Sequence, residues 1–366
     1  MRTHSTGAGG RVVTLTANPS LDRTLDLPGP LERGGVTRLG VSHTEPGGKG
    51  VNVSRAIAAA GADVVSVLPA ADDDPVVRAL HRLGLRLASV PIAAPVRTNY
   101  TLTEPDGTTT KLNEPGARLD ATALAALEAA VHEHAVGARW VVLSGSLPPG
   151  APPDWYATLV RSLRSTGARI AVDTSEAPLL ALLAAGPDAA PDLLKPNTEE
   201  LAQLAGLPED AVTGDPDVAL AAVASLHDRG VAEVLLTLGG DGAVLSTAEG
   251  VWSARPPRTT VRSTVGAGDS SLAGYVLAAL AGLGPAGRLQ RAVAYGSASA
   301  ALPGSAVPTP AQADPSAVPV TPGLPGRPTT HTTTHAATHA ATHAATHAAT
   351  HAAPAEAVPA AGADAR

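Results

Sequence analysis

The stretch from Trp140 to Asp173, WVVLSGSLPPGAPPDWYATLVRSLRSTGARIAVD, decides the fold class. Two short apolar runs, Trp140–Leu143 and Arg169–Asp173, enclose Pro153–Ser165, a segment with the length and apolar spacing of a helix. Strand, helix and strand at this separation make a right-handed βαβ crossover with parallel strands. The same alternation continues on both sides. Helix Ala121–His134 comes before it. Helix Ala177–Ala185, strand Asp192–Lys195, helices Glu199–Leu204 and Val218–Arg229 and strand Glu233–Leu238 come after. Upstream, strand Arg11–Ala17, helix Val53–Ala60, strand Asp63–Pro69 and helix Pro75–Leu83 extend the series. Downstream lie a β pair, Ala243–Ser246 and Val251–Ala254, and helices Leu272–Leu283 and Arg288–Ala301. The pattern predicts an α/β protein with a mostly parallel sheet covered by helices on both faces. Two regions stand outside the series. Thr24–His43 reads as short β-like pieces, and Arg97–Glu104 with Thr108–Asn113 reads as a hairpin around Pro105-Asp106-Gly107.

Composition narrows the class. The 366 residues, 44% of them hydrophobic, are ample for a large core. A net charge of −7 without a basic block argues against nucleic acid as a partner. The absence of cysteine excludes disulfides, thiolate metal sites and a cysteine nucleophile, and fits the cytoplasm. Residues 1–10 are small and polar, a flexible N-terminus and not a signal peptide. No apolar run reaches the roughly 20 residues that span a membrane.

Two glycine-rich helix entries carry the chemistry. In Ser263-Thr264-Val265-Gly266-Ala267-Gly268-Asp269-Ser270-Ser271, the glycines let the backbone turn tightly into a helix. The first helical amides have no intrahelical partner and suit an anion. Asp269 then places a carboxylate beside a cradle for negative charge, a pairing that serves phosphoryl transfer. Glu45-Pro46-Gly47-Gly48-Lys49-Gly50-Val51-Asn52 is the second entry. It is not a nucleotide P-loop, because Gly50 stands where a hydroxyl is required, and Gly266-x-Gly268 is not a dinucleotide fingerprint, because Ser271 replaces the third glycine. Ser144-Gly145-Ser146 is not a nucleophile elbow. Two anion sites remain, which suits a reaction with two phosphates in play.

Six segments in order give a more specific reading. They are Asn18-Pro19-Ser20-Leu21-Asp22, Gly47–Val53, Ser144–Gly150, Lys195–Leu201, Thr237–Ala243 and Thr264–Ser270. Together they resemble the successive signatures of the ribokinase-like (phosphofructokinase B) sugar kinases, over about Arg11 to Pro308. The branch they resemble is that of bacterial phosphofructokinases and tagatose-6-phosphate kinases, above all 1-phosphofructokinases. The resemblance implies one kinase domain, residues 11–322, with a small β lid built from segments about 24–43 and 97–113. It implies ATP and Mg²⁺ as cofactors and a dimer contact through the lid.

The resemblance also assigns roles. Asp269 matches the catalytic base, and Gly266, Ala267 and Gly268 supply amides to the transferring phosphoryl group. The helix N-terminus is expected to lower the pKa of Asp269. Asp22 matches the carboxylate that binds sugar hydroxyls, with Gly47, Gly48, Asn52 and Ser146 lining the sugar. Lys49 and Arg97 are the cations placed near the phosphate the substrate already carries. Asn197 and Glu200 match a pair that organises Mg²⁺ through water, and also read as an N-cap with a surface glutamate. Lys195, Thr237, Gly239 and Gly242 match the floor under the ATP phosphates. Ser297 reads equally as a neighbour of adenine and as a small packing residue. Gly-Gly-Lys-Gly and Thr110–Gly116 resemble the 1-phosphofructokinase branch, which implies phosphorylation of D-fructose 1-phosphate at its 6-hydroxyl. The alternatives are a 6-phosphofructokinase, a tagatose-6-phosphate kinase and, in a different class, a non-catalytic sugar-phosphate sensor.

Near Pro308 the composition turns Pro-, Ala- and Thr-rich, and from His331 to His351 a histidine recurs every four residues. Residues 323–366 read as a disordered low-complexity tail; a helical alternative would align the histidines for a divalent metal.

Overall fold

The computed structural model describes residues 10–324. The first half of the chain forms β1 (Val12–Leu15), β2 (Ser20–Asp26), β3 (Ser42–Gly47), α1 (Lys49–Ala59), β4 (Val64–Pro69), α2 (Pro75–Arg82), β5 (Arg86–Val90), β6 (Arg97–Thr103), β7 (Thr109–Asn113) and α3 (Ala121–Ala135). Then come β8 (Trp140–Ser144), α4 (Trp155–Leu163), β9 (Arg169–Asp173), α5 (Glu176–Ala184), β10 (Leu193–Leu194), α6 (Thr198–Ala205), α7 (Glu209–Gly214) and α8 (Pro216–Asp228). The last elements are β11 (Glu233–Thr237), β12 (Ala243–Thr247), β13 (Gly250–Ala254), α9 (Ala267–Leu280), α10 (Pro285–Ala300) and β14 (Val320–Pro322).

Ten strands make one sheet in the order β14-β13-β12-β11-β10-β9-β8-β1-β4-β5. From β5 to β11 every pairing is parallel, and β12, β13 and β14 add antiparallel strands at one edge. Buried strands with side chains of period two feed two cores. Val13, Leu15, Val141, Leu143, Ile170 and Val172 face the core shared with α3, α4 and α5. Val12, Val142, Ala171, Leu193 and Leu235 face the opposite core with α1, α9 and α10. Phenylalanine is absent from the chain, so leucine and valine fill both layers, and Tyr156 and Tyr275 are the largest fully buried side chains.

Strand order reverses at β1, which pairs with β4 on one side and β8 on the other. Open parallel sheets bind ligands outside the carboxyl ends of the strands at such a point. A second sheet, β3-β2-β6-β7, stands there, with β2 parallel to β6.

Several boundaries differ from the expectation, each for a local reason. β2 begins at Ser20, not Thr24, and no strand forms from Leu27 to Val41, where prolines and glycines interrupt the pairing. α1 begins at Lys49 rather than Val53, because Gly48 adopts φ 106° and turns the chain directly into the helix. β5 and α7 carry weak apolar patterns (β5 is exposed at Arg86, and only Val212 of α7 is buried) and were not expected from periodicity. Beyond Pro308 the fold continues: Val318 is buried and β14 pairs with β13, its Pro322 tolerated because the strand is at the sheet edge. The histidine repeat lies outside the described residues.

Candidate active site

A cavity of about 960 Å³ opens between the carboxyl ends of the parallel strands and the four-stranded sheet. Every candidate residue lines it except Gly47. Gly47 pairs with Ser20 across the β2–β3 register and lies against the Asp22 side chain: a Cβ there would sit 2.1 Å from Asp22 Oδ2. Asp22 Oδ1 accepts from Ser20 Oγ at 2.8 Å and from Asn99 Nδ2 at 3.0 Å. Arg97, across the β2–β6 register, donates from Nη1 to the Glu114 carbonyl and from Nη2 to the Asn18 carbonyl, each at 3.1 Å. Its Nε is buried without a protein partner. Ser146 Oγ accepts from Asn18 Nδ2 at the long distance of 3.5 Å.

Asp269 lines the same cavity. Gly266, at φ 78°, is the N-cap of α9, so Ala267, Gly268 and Asp269 form its first turn. Asp269 is buried and its Oδ2 accepts from Asn52 Nδ2 at 2.9 Å. Its pKa is pushed up to about 6, the reverse of the expected depression. Burial is the larger cause and the nearby charge of Asp173 the next; Lys49, Asn52 and Lys195 oppose them without prevailing. A helix N-terminus helps an anion by a few tenths to ~2 kcal/mol, less than desolvation costs here.

Asp173 belongs to the site although no sequence motif marks it. It ends β9 fully buried, with Lys49 Nζ 2.8 Å from Oδ1 and Lys195 Nζ 3.1 Å from Oδ2. Burial works against its charge, but Lys195 and Lys49 outweigh it and hold the carboxyl below its ordinary range. Lys49 meets the same opposition from burial, and Asp173, Asp269 and Glu200 keep it above its ordinary value. Lys49 is therefore partnered by a carboxylate inside the protein while it also lines the cavity. The available signal was a carboxylate at the end of a strand, directly after the apolar run Ile170–Val172. Asn99 was missed as well; it follows Arg97 by two, on the same face of a hairpin arm.

At the other end of the cavity, Asn197 and Glu200 make a capping box on α6. Asn197 Oδ1 accepts from the Glu200 amide at 2.7 Å, and Glu200 Oε2 from the Asn197 amide at 2.9 Å. The pair caps the helix, but Glu200 is buried rather than on the surface, and it lines the cavity. Its pKa is raised, chiefly by burial, with Lys49 pulling the other way. Thr237 stands beside Asn197 through a parallel bridge. Gly242, at φ 103°, leaves no room for a side chain: a Cβ would meet the Ala254 carbonyl at 2.0 Å. Ser297 Oγ donates back to the Val293 carbonyl of its own helix while facing the cavity. The loop Pro256–Thr259, singled out by no motif, also lines this end.

The cavity is thus lined by the carboxylates Asp22, Glu200 and Asp269, the N-terminus of α9 and the two lysines that share Asp173. Known proteins are similar to this chain over most of its length. The profile described as pfkB family carbohydrate kinase matches residues 16–312. A 1-phosphofructokinase of Xanthomonas campestris pv. campestris is 37% identical over 273 residues, 74% of this chain and 84% of that protein. The ATP-dependent 6-phosphofructokinase isozyme 2 of Escherichia coli is 34% identical over 270 residues, 73% of this chain and 85% of that protein. The crystal structure of phosphofructokinase-2 from Escherichia coli in complex with substrates and products superposes with a TM-score of 0.76 at 31% identity, covering 83% of this chain and 97% of that one. The chain belongs to the pfkB family of carbohydrate kinases.

Proposed function

We propose that the protein transfers the γ-phosphoryl group of ATP to the 6-hydroxyl of D-fructose 1-phosphate, giving fructose 1,6-bisphosphate and ADP. The observation that carries the reading is that Asp22 and Asp269 line one cavity, Asp269 from the first turn of α9. Asp22, held by Ser20 and Asn99, accepts hydrogen bonds from sugar hydroxyls and sets the reacting oxygen toward Asp269. Asp269 takes the proton as that oxygen bonds to the γ-phosphorus and the bond to the β-phosphate oxygen breaks. With a pKa of about 6 it is mostly ionised at neutral pH yet basic enough to accept a proton. The amides of Gly266, Ala267 and Gly268 face the charge on the transferring group.

The substrate's own phosphate belongs near Arg97, whose unpartnered Nε supplies a donor beyond its two carbonyl bonds. Lys49 lends charge to that side while remaining tied to Asp173. Lys195, Thr237, Gly239 and Gly242 lie under the nucleotide, and Ser297 faces its base. Asn197 and Glu200 each commit one oxygen to the capping box and retain acceptor capacity, which fits a hydrated cation such as Mg²⁺ better than a cage of protein ligands. When bound, Mg²⁺ neutralises charge on the ATP phosphates. The β lid is also the proposed homodimer surface, with Val36, Val41 and Leu112 exposed on it or its loop. Sedimentation at micromolar concentration tests this: a monomer under all conditions contradicts it.

The relative named 6-phosphofructokinase keeps fructose 6-phosphate as the second reading. A substrate panel decides: kcat/KM for fructose 1-phosphate is expected to exceed that for fructose 6-phosphate and tagatose 6-phosphate by at least ~10-fold. A reversed order favours the second reading. Binding without ADP release on all three would leave a sugar-phosphate sensor.

A further inference from the structure

Arg55 is buried in α1, in the turn after Lys49 and Asn52, and no motif reading gave it a role. Its Nη1 donates to the Pro46 carbonyl at 3.2 Å, the Ser305 carbonyl at 3.2 Å and Asn52 Oδ1 at 3.4 Å. Its Nη2 lies 3.7 Å from Glu45 Oε1, and Glu45 Oε2 accepts from Ser305 Oγ at 2.7 Å. One guanidinium therefore joins the end of lid strand β3, helix α1 and the loop after α10.

We infer that Arg55 is a positioning residue for phosphoryl transfer: it fixes the Asn52 amide in the orientation that donates to Asp269, and it ties the lid to that amide. The inference rests on the reading of Asp269 as the base. The Asn52 side chain lies between a carboxylate, which only accepts, and a guanidinium, which only donates. One amide orientation satisfies both neighbours. The flipped one turns Oδ1 on the Asp269 carboxylate and Nδ2 on the Arg55 guanidinium, and both contacts become repulsive. The Asn52 contact is the longest of the three made by Nη1, whose two protons are shared among three acceptors, so charge matters there as much as geometry.

The same residue reaches the sugar side. Glu45 pairs with Asp22 across the β2–β3 register, and the Pro46 carbonyl that Arg55 holds directly precedes Gly47. Arg55 thus sits between the supports of the two proposed reacting-site carboxylates: Asn52 on the side of Asp269 and β3 on the side of Asp22. The charged and titratable groups facing Asp269 are Asp173 from β9, Lys49 from α1 and Lys195 after β10. Those facing Arg55 are Glu45 from β3 and Asp22 from β2. None of these replaces the donor that Asn52 gives Asp269.

The test is a double-mutant cycle on the full chain, using Arg55→Met, Asn52→Ala and both, with kcat measured from pH 5 to 9 at saturating ATP and fructose 1-phosphate. Arg55→Met is expected to move the acidic limb of kcat upward by about half a pH unit or more and to lower the plateau roughly 10-fold. The KM for ATP should stay within about 2-fold, because the nucleotide contacts lie elsewhere. On the Asn52→Ala background the Arg55 substitution should move the limb no further. Arg55→Lys, which keeps the charge and is the measured variant if Arg55→Met does not fold, should move it less than half as far. A merely structural role would lower the melting temperature and scale kcat at every pH without shifting the limb. An unshifted limb, or an equal shift on both backgrounds, overturns the inference. Activity retained in Asp269→Asn would instead overturn the underlying reading, so the two failures are distinguishable.

Discussion

Lys49 Nζ lies 2.8 Å from Oδ1 of the fully buried Asp173, and the other oxygen of that carboxylate faces Lys195. The start of α1 and the ends of β9 and β10 are thereby joined at the cavity. One buried carboxylate shared by two ammonium groups also sets the potential at Asp269, since its charge is the second cause of the raised Asp269 pKa.

Asp173→Asn should separate these two effects. Removing the shared charge leaves Lys195 buried beside Lys49 with no anion between them, and should cost about 3 kcal/mol of stability or more. It also removes the repulsion felt by Asp269, so the acidic limb of kcat should move below its wild-type position near pH 6. Urea melts and a pH–rate profile on the folded fraction check both. An unchanged limb would mean that Asp173 does not reach the base.

The ionised form of Asp269 is disfavoured by folding, and the sign of that linkage can be measured. Its folded pKa of about 6 exceeds the ordinary 3.8, so between these values the native state binds more protons than the unfolded state. Stability from this group therefore falls as pH rises from about 4 to 6 and remains reduced above. Asp269→Asn should stabilise the protein at pH 8 by about 1–3 kcal/mol and by little at pH 4. Equal melting temperatures for the two proteins at pH 8 would contradict the raised pKa. A more stable, inactive variant is the pattern expected where function is maintained against stability.

Gly47→Ala tests the sugar side without touching a polar group. The Gly47 backbone is in a strand without positive φ, so alanine is allowed there, but its Cβ would fall 2.1 Å from Asp22 Oδ2. Asp22 must move. The expected result is a loss of at least ~10-fold in kcat/KM for the sugar phosphate, with the KM for ATP within about 2-fold. Normal sugar kinetics would show that Asp22 does not hold the hydroxyl.

Residues 329–366, which include the histidine repeat, are proposed to be dispensable for catalysis. Deleting them should leave kcat and both KM values within about 2-fold. A larger loss, or activity that responds to added Zn²⁺ only in the full chain, would give the tail a role.

Much of the architecture was legible because buried parallel strands are apolar runs and the helices between them are periodic: Trp140–Ser144 and Arg169–Asp173 were found nearly to the residue. The lid was less so. β2 was shortened in the reading because Ser20-Leu21-Asp22 looks like a turn after Pro19, whereas pairing with β3 and β6 makes it extended. β14 was lost in a proline-rich segment whose strand exists only by pairing at a sheet edge. Within the site, residues carried by local motifs came through, as with Asp269 in its glycine-rich turn. Asp173 and Arg55 did not, because their meaning is tertiary: Asp173 meets Lys49 across 124 residues, and the Asn52 amide that Arg55 holds meets Asp269 across 217. The direction of the Asp269 pKa was misread for the same reason: the helix terminus is local and visible, while the burial and the neighbouring charge are tertiary.

The central claim is that Asp269 takes the proton from the attacking sugar hydroxyl. The most direct measurement is kcat for Asp269→Asn at saturating ATP and fructose 1-phosphate, with nucleotide binding followed separately by calorimetry. The account predicts a fall in kcat of at least ~10² with the affinity for ATP retained. A kcat within a few-fold of wild type would contradict it.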